Sequence, residues 1–307
     1  MDYHKPVMLN ECIEGLDIRP DGTYVDVTFG GGGHSRAIME HLGEAGRLIG
    51  FDQDADALAN AIEDSRFCLI HENFRYIKAF LRLHGVRQVD GIIADLGVSS
   101  HQFDVAERGF STRMEGTLDL RMDRRQELTA KELVNSSSEE ELTRILRLYG
   151  ELPKAYQMAK AIVRARSEKT LETTFDLRDA VSRHLPHGME NKYLAMLFQA
   201  LRIEVNGELE ALQAMLQQAV EVLKPEGRLV VMSYHSLEDR IVKNFFKTGN
   251  FDGKLEKDFY GNPIVPLKLV TRKAVTASDE ELQLNSRARS AKLRVAMKIE
   301  KKGTPQH

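Results

Sequence analysis

Apolar residues come in short runs separated by punctuating glycines and charges. Residues 23–29 (TYVDVTF), 47–52 (RLIGFD), 66–72 (RFCLIHE), 89–96 (VDGIIADL) and 228–234 (RLVVMSY) are rich in β-branched, aliphatic and aromatic side chains. They are too short for buried helices and predict strands. Between the first four lie 34–42, 54–64 and 74–84, with apolar positions at helical spacing. Strands alternating with short helices predict a parallel, doubly wound α/β sheet. Residues 1–20 predict a helical lead-in closed by a turn at Arg19, Pro20, Asp21 and Gly22.

The period changes after about residue 103, and no strand pattern returns until residue 228. Ser138 and Glu141 form a capping-box pattern opening a helix to Tyr149, with Gly150 as its stop. Pro153 precedes a second helical run, and 176–185 and 191–205 are amphipathic. A helix over 208–223 is expected to close in a turn at 224–227, and 237–247 is helical. Residues 266–271 and 292–299 read as a closing antiparallel pair. The expected organisation is a sheet domain in two parts, 1–103 and 207–307, interrupted by a helical insertion over 104–206.

Composition narrows the class. At 307 residues, with 42% hydrophobic and 29% charged, the chain matches a globular protein with a sizeable core. Cys12 and Cys68 are too few for a disulfide framework, and the N-terminus lacks the apolar core of a signal peptide. No apolar run is long enough to span a bilayer. A cytoplasmic protein without a membrane partner is expected. The net charge of −3 hides two locally basic stretches, 145–169 and 286–302. By default such runs are solvated faces.

The candidate chemistry begins at residues 30–33, four consecutive glycines between the first strand and its helix. Strand, glycine turn and helix let a backbone approach a ligand and aim N–H groups at it. Asp52 ends the second strand, where a carboxylate accepts from a ribose diol, and Asp95 ends the fourth. In a doubly wound sheet all three converge at the switch point. NAD and S-adenosylmethionine both satisfy that much. G-x-G-x-x-G is not spelled, since Arg36 takes the third glycine position if Gly31 leads. Asp26, four residues before Gly30, better suits a ligand with an amino group and a sulfonium, though it serves equally as a loop cap.

TFGGGGHS at 28–35, DLGVSSHQFD at 95–104, ERGF at 107–110, LDLRMD at 118–123, FQALRIEVNGEL at 198–209, SYHSLEDRIVK at 233–243 and NSRARSAKLR at 285–294 resemble, in order and over nearly the whole chain, the ribosomal RNA small-subunit methyltransferase H (MraW) family. The resemblance implies a Rossmann-like class I methyltransferase sheet with an inserted all-helical domain for RNA recognition. It implies S-adenosyl-L-methionine as cofactor and the N4 of a decoding-centre cytidine in 16S rRNA of the small subunit as target. It places cofactor contacts at Gly32, Gly33, His34, Asp52, Phe74, Asp95 and Gln102. Phe74 suits an adenine wall, whereas Gln102 rests on resemblance alone. Ser286 stands where many relatives have proline and Tyr234 where many have phenylalanine. Residues 250–266 are short for the family.

Methylating carbon 5 of a pyrimidine needs a cysteine nucleophile. Cys12 sits in the lead-in helix and Cys68 inside a strand, away from the strand ends. Transfer to an exocyclic amine needs only positioning and electrostatics. Asp95 is the candidate catalytic residue, with a cofactor contact alone as its rival role. His235 and Ser236, after the fifth strand, are candidates to touch the base, against the commoner structural role of a loop histidine. Arg287 and Arg289 are candidate RNA contacts, as are Arg147, Arg164, Arg166 and Arg294. The 10 histidines are scattered and no metal-ligand spacing occurs, so no metal is expected.

Overall fold

A computed structural model describes residues 6–300. Lys301 and Lys302 of the basic C-terminal stretch, and residues 1–5 of the lead-in, lie outside the described residues. The chain divides into two compact units. One holds the described residues up to Gly97 and from Leu209 onward, and the other is Val98–Glu208.

The first unit is a seven-stranded sheet of β1 (Thr23–Asp26), β2 (Arg47–Asp52), β3 (Phe67–His71), β4 (Val89–Asp95), β5 (Leu223–Ser233), β6 (Leu267–Leu269) and β7 (Lys292–Lys298). Their order across the sheet is β3-β2-β1-β4-β5-β7-β6. The first five run parallel, and β7 is antiparallel to both β5 and β6. Sequence neighbours in a strand face opposite ways. Val25, Ile92 and Val231 join one core with Ile77, Leu81, Met215, Leu216 and Phe246. Tyr24, Ile93 and Val230 join another with Cys12, Leu16, Ile38 and Leu42. Covering both faces is what a parallel sheet requires, because neither face can meet water.

Three departures from the expected elements have local causes. β1 stops at Asp26, not Phe29. Beyond it the Val27 N–H turns to the Ile93 carbonyl while the Phe29 N–H turns to the Phe51 carbonyl, so the chain leaves its ladder at the gap between β4 and β2. Residues 54–64 make only a short 3-10 turn, Ala55–Asn60. Its Asp54 side chain accepts from the Asp56 N–H, and such local bonds compete with helix propagation. The turn expected at 224–227 lies within β5 as a register shift between the Val89↔Leu223 and Gly91↔Arg228 pairs, with Glu226 in the left-handed region at φ 64°. Lys224 pins it by donating to Asp90 at 2.7 Å.

The second unit packs helices Ala130–Ser136, Glu139–Leu148, Ala155–Glu168, Thr174–Val181 and Glu190–Asn206 around Leu133, Ile145, Met158, Ile162, Leu177, Leu197 and Leu201. Thr129, Ser138 and Thr173 cap three of them through their side chains. Among the described residues no helix is long and apolar enough to cross a membrane.

Candidate functional site

The glycine turn is built by conformation first. Gly30 and Gly32 have φ of 52° and 75°, the left-handed region that a Cβ disfavours. The Gly32 N–H closes the turn on the Phe29 carbonyl at 2.7 Å. Helix Gly33–His41 follows with Gly32 as its N-cap and no side chain capping it, so its first-turn N–H groups are not claimed by a cap. An alanine at position 32 would put its Cβ 2.9 Å from the Phe29 ring on a backbone that already disfavours it. One at position 31 meets nothing within 4 Å. Gly32→Ala is therefore expected to lose about 1–2 kcal/mol in chemical denaturation, and Gly31→Ala to stay near wild type. Equal stability of the two variants would remove the conformational account of the turn.

Three buried or half-buried acids surround this turn. Asp26, at the end of β1, accepts from the Thr28 N–H at 3.0 Å and the Ser35 hydroxyl at 2.7 Å, tying the turn's two ends together. Asp52, at the end of β2, accepts from the Gly30 N–H at 2.7 Å and the Asp54 N–H at 2.8 Å. Burial pushes its carboxyl up to about 6, against the pull of those two N–H groups. Asp95, at the end of β4, is anchored through its own N–H to the Thr28 hydroxyl at 2.7 Å. Its Oδ1 accepts from the Tyr234 hydroxyl at 2.7 Å, and its Oδ2 lies 3.8 Å from His34 Nδ1. Burial pushes Asp95 up to about 6 as well, with His34 and the Tyr234 hydroxyl opposing. A quarter of its side-chain surface stays open. The His34 Nε2–H donates to the Val7 carbonyl at 3.1 Å, which leaves Nδ1 toward Asp95.

The fold thus gathers Gly32, Gly33, His34, Asp52 and Asp95 over the carboxyl ends of β1, β2 and β4. Phe74 opens a short turn after β3, where Asn73 accepts from the Arg75 N–H, and packs on the sheet core. Gln102 belongs to the other unit. It is buried there, and its side chain accepts from the Ser99 N–H in the capping box of the short helix Ser100–Asp104. His235 turns inward: Nδ1 accepts from the Glu238 N–H at 3.4 Å, and Nε2 lies 3.2 Å from a Glu238 carboxylate oxygen. Ser236 begins helix Ser236–Thr248. Arg287 and Arg289 lie in the turn Ser286–Ser290 ahead of β7, with Arg289 exposed. Arg294 donates through Nε to Asp239 at 2.8 Å, with Lys292 beside it. Arg166 donates to the Val134 carbonyl, and Arg164 sits 3.5 Å from Glu168 on an exposed face.

Tyr234 and Glu238 are the residues that spacing does not point to. Tyr234 follows β5, beside the end of β4, and only the order of strands brings its hydroxyl to Asp95. The arrangement suits a ligand with hydroxyl donors and a positive charge. Two carboxylates above the ordinary range, uncapped N–H groups and an unobstructed Gly31 supply what such a ligand needs.

A model of the MraW methylase family matches residues 1–299. A ribosomal RNA small subunit methyltransferase H from Flavobacterium johnsoniae is 56% identical over 299 residues, covering 97% of this chain and 99% of its own. One from Bacteroides thetaiotaomicron is 54% identical over 298 residues, covering 97% and 98%. Among solved structures, an rRNA methylase from Streptococcus thermophilus aligns over 97% of this chain and 99% of its own, at 10% identity and a TM-score of 0.44.

Proposed function

This chain belongs to the MraW methylase family, whose members draw their methyl group from S-adenosylmethionine, and on that premise we propose that it methylates the N4 amine of a decoding-centre cytidine in 16S rRNA of the small ribosomal subunit. The observation that carries this reading is the pair of carboxylates, Asp52 and Asp95, on either side of the glycine turn. Asp52 is assigned to the ribose diol, the turn and the uncapped helix to the polar end of the cofactor, and Phe74 to the adenine. When bound, the cofactor supplies an electrophilic methyl on a positively charged sulfur.

Asp95 does the rest of the polar work. Its carboxylate accepts an N–H of the target amine, so the nitrogen lone pair turns toward the methyl. As the nitrogen gains carbon it becomes positive, and a nearby carboxylate stabilises that charge and takes the proton it sheds. Covalent addition to the ring is disfavoured by placement. Cys12 is fully buried in helix Leu9–Leu16, where burial pushes its thiol up, and Cys68 sits within β3.

The RNA is assigned to the helical unit and to the turn carrying Arg287 and Arg289. Replacing both arginines by alanine is expected to weaken subunit binding. It should also lower the slope of log affinity against log salt by roughly 1.5–2, the counterions two phosphate contacts release. An unchanged slope removes them from the interface.

The direct test is methyl transfer from labelled S-adenosylmethionine to small subunits isolated from cells lacking this protein, with the nucleoside identified by mass spectrometry. An N4-methylated cytidine is the expected product. Transfer to another atom or another RNA would replace the substrate assignment. No transfer to any RNA would overturn the reading.

A further inference from the structure

We propose that Tyr234 is a positioning residue for methyl transfer: its hydroxyl fixes one oxygen of the Asp95 carboxylate so that the other is presented to the target amine. The inference rests on the assignment of Asp95 above. β4 and β5 are adjacent, with Asp95 paired to Met232, so the residue two beyond Met232 emerges beside the carboxylate. The phenol reaches Oδ1 at 2.7 Å. Oδ2 has His34 Nδ1 at 3.8 Å, outside hydrogen-bond range, and so keeps lone pairs to offer.

Tyr234 is itself held at its backbone. Its N–H donates to a Glu238 oxygen at 2.9 Å, while the other Glu238 oxygen lies 3.2 Å from His235 Nε2. Glu238 is buried at the start of helix Ser236–Thr248, and its own N–H donates to His235 Nδ1 at 3.4 Å. Glu238 therefore holds the Tyr234 backbone, and the Tyr234 hydroxyl holds Asp95.

The charge around Asp95 gives the phenol a second effect. His34 faces it from helix Gly33–His41, Asp26 from β1, Glu238 from the helix after β5, and the Cys12 thiol from helix Leu9–Leu16. Asp26 and Glu238 favour the protonated carboxyl, whereas His34 and the Tyr234 hydroxyl favour the carboxylate. Burial and the adjacent Asp95 charge push the phenol's own proton release far up, so it remains a donor at any working pH.

Tyr234→Phe keeps the ring and removes only the donor. The test measures methyl transfer by the full chain to isolated small subunits between pH 5 and 9. It also follows the Asp95 carboxyl by carbon NMR of aspartate-labelled protein, assigned with Asp95→Asn. The acid limb and the Asp95 titration are both expected to move up by about one pH unit. At pH 6 the variant then loses about fivefold beyond any loss at pH 9, while KM for S-adenosylmethionine stays within about twofold. Tyr234→Leu removes the ring as well and should also lower the melting temperature, which Tyr234→Phe restores without restoring the limb. Transfer by the wild type with an unmoved limb and Asp95 titration in Tyr234→Phe overturns the inference alone. Absence of transfer by the wild type instead removes the assignment on which it rests.

Discussion

Asp95→Ala is expected to slow single-turnover methyl transfer about a hundred- to a thousandfold, with cofactor affinity changed by less than about tenfold. The expectation follows from where the carboxylate sits. Its backbone is pinned by Thr28, one oxygen is taken by Tyr234, and a quarter of the side chain is open at the end of β4. A methyl transfer of this kind leaves the protein only positioning and charge to contribute, and Asp95 offers both. Alanine also strands the Tyr234 hydroxyl, so some stability is lost: about 1–3 kcal/mol for an unmatched buried donor. Asp95→Asn separates the effects. Its amide oxygen still accepts from Tyr234, but its N–H₂ meets the amine donor to donor, so the rate should fall while the melting temperature recovers. Rapid-quench transfer to small subunits, with cofactor affinity from calorimetry, reads the split. A rate within tenfold of wild type for Asp95→Ala would confine this residue to structure.

Asp52→Ala is expected to weaken S-adenosylmethionine binding about a hundredfold, the loss of two hydroxyl-to-carboxylate hydrogen bonds. The wild-type affinity should also depend on pH in a stated direction. Burial raises the Asp52 carboxyl to about 6, and under the proposed assignment it is the ionised form that would accept both ribose hydroxyls. Affinity is therefore flat above pH 6 and falls as the pH drops through it, toward about tenfold per pH unit. The stability contribution has the opposite sense. A carboxyl raised above its unfolded value adds stability that is fully present below that value and is lost as pH rises through about 6. The free fold carries a strained, ionised Asp52 at neutral pH, and a diol relieves it. Alanine should flatten the part of the pH dependence that Asp52 supplies, leaving any part due to Asp95. Wild-type affinity constant from pH 5 to 8 would remove Asp52 from the ribose.

What the chain reveals by pattern and what it conceals divide along physical lines. β2 runs over the residues its apolar run marks, and β6 pairs antiparallel with β7 as the closing segments suggest. Those strands are read from a local period. β1 is misread by three residues because its end is decided by which neighbour takes each N–H, Ile93 or Phe51, and neither is local. The helix expected over 54–64 fails because the Asp52 and Asp54 side chains bond the N–H groups two residues on. At the candidate site, Asp52 and Asp95 are visible because acids ending buried strands stand out. The partners of Arg294 and His235, Asp239 and Glu238, are not marked by any local pattern. The Tyr234–Asp95 bond joins positions 139 apart, and no spacing rule reaches that far.

The order of strands also sets a timetable for synthesis. β4 pairs on one side with β1, already made, and on the other with β5, which begins only at Leu223. Every residue of the helical unit is translated in between. At about 5–20 residues per second, the free edge of β4 waits on the order of ten seconds for its partner. It is an apolar edge carrying Ile92, Ile93 and Ala94, the kind that recruits other chains when left open. A nascent chain stalled anywhere within the helical unit carries that edge exposed, so chaperone dependence of this protein should concentrate in that window of translation.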